Sequence, residues 1–289
     1  MAIKMYTKQY AGFLKDVFKK KQHFLNTFGG KLQVKDGITN KDKFMTLKIS
    51  DTDVVIQKYD MGENVAFGTG TGNSNRFGNR KEVKSIDMDV AYEAPLAIHE
   101  GVDNFSVNDN VDQVVAERAG LHAEAWTEEL NKLLSKAISD NAGETLTGAL
   151  KEDDVIKAFN DAHAKFINNH VTKDITWVAY VNTDVYKILV DSKLTNVGKR
   201  SGVNIDNQEL DKFKGFAIVE LADEYFQKGE QIYFAADNIG VVGVGIEVYR
   251  LIDSEDFNGV AIQSAAKYGK FIPDKNKKAI IKAKLTPAV

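Results

Sequence analysis

Apolar residues recur at helical spacing in three stretches of this chain. The longest runs from Asp112 to Ile138, where Val114, Val115, Trp126, Leu130, Leu133, Leu134, Ala137 and Ile138 share one face and predict a 27-residue helix. At 1.5 Å per residue it would extend roughly 40 Å, beyond the usual length in a compact domain. Asn108, Asp109 or Asn110 can cap its start. A second helix is predicted at about Glu152 to Asn168, with Val155, Ile156, Phe159, Ala162, Phe166 and Ile167 on one side. The third, Tyr6 to Phe28, sets Phe13, Leu14, Val17, Phe18, Phe24, Leu25 and Phe28 among lysines and stops at Gly29-Gly30. Such a basic amphipathic segment suits a docking arm better than a membrane-surface helix, because nothing else in the chain points to lipid.

Elsewhere the period is two. Ile86, Met88, Val90 and Tyr92 alternate with Asp87, Asp89 and Ala91, as in a strand with one buried face. Leu47 and Ile49, then Val54 and Ile56, supply its outgoing partner. Between them, residues 62–80 hold five glycines, four asparagines and two arginines, a composition of turns rather than core. A lone two-stranded ribbon is marginal in water, so this projection needs outside support. Further strands are predicted near 175–181, 216–221, 231–235, 241–252, 260–267 and 279–285, with a short helix capped by Asn182 and running through Leu189. Helices and strands mix without βαβ alternation, which predicts an α+β fold.

Charge changes this picture more than composition does. The 289 residues are 43% hydrophobic and 27% charged, as in an ordinary soluble protein. Net charge is −3, but residues 1–43 hold ten lysines against three aspartates, and residues 85–163 hold 17 acids against five bases. Residues 267–284 are basic again, with seven lysines and one aspartate. One reading of this asymmetry is that the basic arm of one copy meets the acidic flank of another; the other is that these are solvated faces. No cysteine is present, so disulfides, thiolate metal sites and cysteine nucleophiles are excluded. Gly68, Gly70 and Gly72 fit neither the Walker nor the dinucleotide pattern. His99-Glu100 has Asp103 where the zinc-protease pattern needs histidine, and His122-Ala123-Glu124 lacks the cysteines of a deaminase. The five arginines are scattered, unlike a base-reading face. No catalytic, cofactor or metal constellation emerges. The apolar run from Ile239 to Val248 is too short to span a bilayer, and the N-terminus shows no apolar signal core.

Arg76-Phe77-Gly78-Asn79-Arg80-Lys81-Glu82, Ile98-His99-Glu100-Gly101-Val102-Asp103, and Phe257-Asn258-Gly259 with Ala266 to Phe271 carry a resemblance. In these motifs and in element order the chain resembles the major capsid proteins of long-tailed bacteriophages of Gram-positive hosts. The resemblance implies the Hong Kong 97-type fold: an N-terminal arm at 1–30, an extended loop at 31–100, a peripheral domain with a spine helix at 101–172 and 256–289, and an axial domain at 173–255. It implies a non-enzymatic, self-assembling shell of hexamers and pentamers around double-stranded DNA, held without sequence-specific contacts. Assembly in the host cytoplasm into a virion head is expected, without a membrane and with a portal. The chain has no room for a scaffolding segment, so a separate scaffolding protein is expected. Candidate interface residues are Phe13, Phe18, Arg76, Phe77, Arg80, Lys81, Glu82 and Glu100. Two other readings stay open: an encapsulin-like nanocompartment shell, and a soluble enzyme or ligand-binding protein with an unrecognised site.

Overall fold

The computed structural model describes residues 21–34, 43–50, 54–61, 76–78, 82–83, 85–105, 111–192 and 210–287. The chain divides into two compact units, one of Asn40–Ala91 and one of Met1–Thr39 with Tyr92–Val289.

The larger unit is built on helix α1, Val111–Asp140, whose 30 residues span roughly 45 Å. Its C-terminal half buries Leu130, Leu134, Ala137 and Ile138. Helix α2, Glu152–Asn168, opens on three acids that complement its dipole and buries Val155, Phe159, Ala162 and Phe166 completely. Helix α3, Thr183–Asp191, is capped by the Asn182 side chain, which accepts from the Val185 amide at 3.1 Å.

Two sheets complete this unit. Strands β5 (Glu144–Leu150), β6 (Trp177–Asn182), β7 (Lys212–Phe213), β8 (Phe216–Leu221), β9 (Ile232–Ala236) and β12 (Ile280–Pro287) form a mixed sheet in the order β5-β12-β9-β6-β8-β7. Every residue of the central β6 and β9 is buried, which explains their unbroken apolar runs. Phe159 of α2 meets Phe213 and Phe234 edge-on at 5.1 and 4.9 Å, so helix and sheet share an aromatic core. The other sheet orders β1 (Gln33–Val34), β10 (Val241–Asp253), β11 (Gly259–Phe271) and β4 (Leu96–Asp103) as β1-β10-β11-β4, with a register shift between Val244 and Glu247. The N-terminal half of α1 packs Val114 and Val115 against Val102 and Ile262 of that sheet.

A polar knot ties the end of α1 to the six-stranded sheet. The Glu230 carboxylate, 3% exposed, pairs with Lys282 at 2.8 Å and accepts from Ser139 at 2.7 Å and Tyr233 at 2.8 Å. Lys282 also donates to the Ser139 carbonyl at 3.1 Å, filling one of the vacant acceptors in the last turn of α1. Burial pushes the Glu230 carboxyl up, but Lys282, Ser139 and Tyr233 outweigh it and hold the group below its ordinary range.

The smaller unit is an antiparallel ribbon of β2 (Lys43–Ser50) and β3 (Ser85–Ala91).

Three elements depart from the sequence reading. The arm helix expected through Phe28 does not reach it: residues 21–23 are irregular and Leu25–Phe28 make one 3-10 turn. Gly29 and Gly30, at φ +90° and +69°, end the turn, while Phe24 and Phe28 sink fully into the core. Tertiary packing thus overrides the helical spacing there; residues 6–20 of the expected helix lie outside the described residues, as do the caps at 108–110. Val54 and Ile56 do not extend the outgoing strand, which stops at Ser50; they stand 95% and 96% exposed. Strand β5 went unread because its sequence, ETLTGAL, is half polar and its pairing with β12 is set by residues about 140 positions away.

Candidate subunit interface

The ribbon register sets Thr46 opposite Asp89, Leu47 opposite Met88 and Met45 opposite Val90. Asp89 forms an ion pair with Lys43 and accepts from Thr46 at 2.7 Å, and both contacts hold its carboxyl below the ordinary range. Those pairs pin the register of an otherwise marginal two-stranded element.

Beyond the ribbon, residues 54–61 carry apolar side chains into solvent. Val54, Ile56 and Met61 are 79–96% exposed, and Phe77 is 77% exposed. Phe77 meets Tyr59 edge-on at 5.1 Å, and the Asp60 amide donates to the Arg76 carbonyl at 2.9 Å, so the two segments hold each other. Gly78 turns the chain at φ +77°, and a Cβ there would run into the Gln57 side chain. Covering these four large apolar side chains would contribute roughly 1.5–3 kcal/mol for each.

Among the residues expected at an interface, Arg76 and Phe77 thus sit together in this exposed segment, and Glu82 is also exposed. Phe13, Phe18, Arg80 and Lys81 lie outside the described residues. Glu100 belongs to the other unit, on β4, and faces α1. Its carboxylate accepts from Arg118 Nε at 2.6 Å and lies 3.0 Å from His122 Nε2, so Arg118 first and His122 second lower its pKa against the cost of burial. This clasp joins β4 to α1 within the chain. The exposed Val54, Ile56 and Met61 were the residues sequence reasoning missed as surface; the signal was their position beside the glycine-rich tip.

Among the described residues, no group of three or more histidines or carboxylates could hold a metal ion. No described helix is long and apolar enough to cross a membrane.

Spine helix, paired sheets and ribbon unit define the Hong Kong 97-type capsid fold, and the chain matches structures of that type over about 92% of its length. A structure from Mycobacterium phage Che8 is 18% identical, covers 92% of each chain and has a TM-score of 0.67. The mature capsid of bacteriophage PhiM1 is 14% identical over 93% of this chain and 88% of its own, with a TM-score of 0.68. A virus-like particle from Pyrococcus furiosus, 15% identical, covers 96% of this chain and 97% of its own at a lower TM-score of 0.56. No protein-family model matches the sequence. No curated protein matches it either.

Proposed function

We propose that this chain is a major capsid protein that assembles into hexamers and pentamers of an icosahedral phage head. The observation carrying this reading is the joint one of a capsid fold across 92% of the chain and a ribbon unit with exposed Val54, Ile56, Met61 and Phe77. Residues 1–30 serve as arm and 31–100 as extended loop, whose residues 31–39 and 92–100 belong to the larger unit, with a peripheral domain at 101–172 and 256–289 and an axial domain at 173–255. Phe13, Phe18, Arg76, Phe77, Arg80, Lys81 and Glu82 contact neighbouring copies, and Glu100 supports the peripheral domain. The shell encloses double-stranded DNA without base-specific contacts, forms in the host cytoplasm with a separate scaffolding protein and a portal, and performs no catalysis.

Sedimentation velocity on the purified protein, alone and with a co-expressed scaffold, tests this. The reading expects capsomer-sized or larger species above the 32.1 kDa subunit. A monomer under all these conditions would refute it. Particles filled with a host enzyme instead of DNA would point to the nanocompartment.

A further inference from the structure

We propose that Asn131 is a positioning residue, its side chain fixing residues 21–23 of the N-terminal segment against the long helix. Asn131 lies in the C-terminal half of α1 and is completely buried. Its carboxamide donates to the Lys21 carbonyl at 2.7 Å and accepts from the His23 amide at 3.1 Å. That two-bond pairing is the one a neighbouring strand would offer, supplied here by a single side chain.

The next residues are fixed by other means. Phe24 is fully buried and lies 4.6 Å from the Tyr180 ring, and Thr27 Oγ1 shares a 2.7 Å hydrogen bond with Tyr180. The Asn238 amide donates to the Asn26 carbonyl at 3.1 Å and the Ile239 amide to the Thr27 carbonyl at 2.9 Å. From Phe24 onward the chain is therefore sewn into the core. Asn131 extends this anchoring three residues upstream and ties it to the long helix. A leucine at 131 would suit the buried stripe of α1, yet it would leave both backbone groups at 21 and 23 without these partners. The amide's role is thus directional: it holds both backbone groups of residues 21 and 23 on α1. In the capsid reading proposed above, on which the assembly half of this inference rests, residues 21–23 belong to the arm, so Asn131 ties that arm to its own subunit.

The test is hydrogen exchange of the peptide 21–28 in the full chain, with trypsin cleavage after Lys21 as a second readout. Asn131→Leu should raise exchange at His23 and cleavage on the order of tenfold to thirtyfold, as expected for two lost hydrogen bonds. Asn131→Asp keeps the acceptor for His23 and loses the donor to Lys21, so it should loosen the site less. Ser139→Ala removes another buried α1 hydrogen bond, to the Glu230 carboxylate, and should leave 21–28 unchanged. Equal rises in Asn131→Leu and Ser139→Ala, or no rise in Asn131→Leu, would overturn the proposal. Asn131→Leu subunits should also close fewer shells than the parent in the same preparation, and normal closure would overturn the assembly half. Failure of the parent itself to form particles would count against the capsid reading, with the exchange result standing by itself.

Discussion

Replacing Lys282 by methionine tests the polar knot at the end of α1. The substitution keeps the aliphatic stem and removes the ammonium that faces Glu230 at 2.8 Å and the Ser139 carbonyl at 3.1 Å. Glu230 would stay buried as a carboxylate with only the Ser139 and Tyr233 hydroxyls as close donors. Breaking a buried pair from one side costs about 3–5 kcal/mol. Lys284 stands 3.7 Å from the same carboxylate and screens part of the loss, so about 3 kcal/mol is expected here. For a chain of this size that lowers Tm by roughly 6–12 °C in a calorimetric scan at pH 7. The sign with pH is fixed by Glu230. Its folded pKa is depressed, so its stabilisation is present above the ordinary carboxylate range and disappears as pH falls through the folded value. With Lys282 gone, burial is opposed only by the Ser139 and Tyr233 hydrogen bonds and the more distant Lys284, so the pKa rises and the penalty should be greatest near neutrality and shrink on acidification as Glu230 takes a proton. Adding Glu230→Gln should recover half or more of the loss at pH 7, since the buried charge is then removed. A Tm drop below about 2 °C, or a penalty that grows on acidification, would refute the reasoning.

Three further outcomes follow from the packing. Phe159→Ala removes a fully buried ring that meets Phe213, Phe216 and Phe234, and should cost about 3–5 kcal/mol in denaturant unfolding. Gly245→Ala would place a Cβ 2.5 Å from the Tyr92 ring and should cost about 1–3 kcal/mol, relieved when Tyr92→Ala is added. Phe77→Ala with Ile56→Ala alters only exposed side chains and should change stability by less than about 0.5 kcal/mol while reducing particle yield by light scattering; unchanged yield would remove the ribbon tip from the interface.

The long helix was legible because one apolar stripe repeats over many turns, and the structure lengthens it only to Val111–Asp140. Helix α2, the buried strands β6 and β9 and the partly buried β8 were legible for a similar reason: their apolar patterns are locally bounded. What the sequence hid depends on distant partners. Asn131 looks like a polar interruption of the α1 stripe until residues 21 and 23 are placed beside it. Glu230 and Lys282 lie 52 positions apart, and neither position announces burial. Phe24 and Phe28 belonged to a convincing helical pattern, but the contacts of Tyr180 and residues 238–240 claim them for the core. The candidate interface was half legible. The glycine-rich sequence at 62–80 marked the neighbourhood, while the exposure of Val54 and Ile56 emerged only with the end of β2.

Electron microscopy of the purified protein, alone and co-expressed with a scaffold, tests the central claim most directly. The account predicts closed shells tens of nanometres across, with rings of six and five subunits and the segment holding Ile56 and Phe77 of each copy covered by another. A uniform field of single subunits under every condition, or shells in which that segment remains bare, would contradict it.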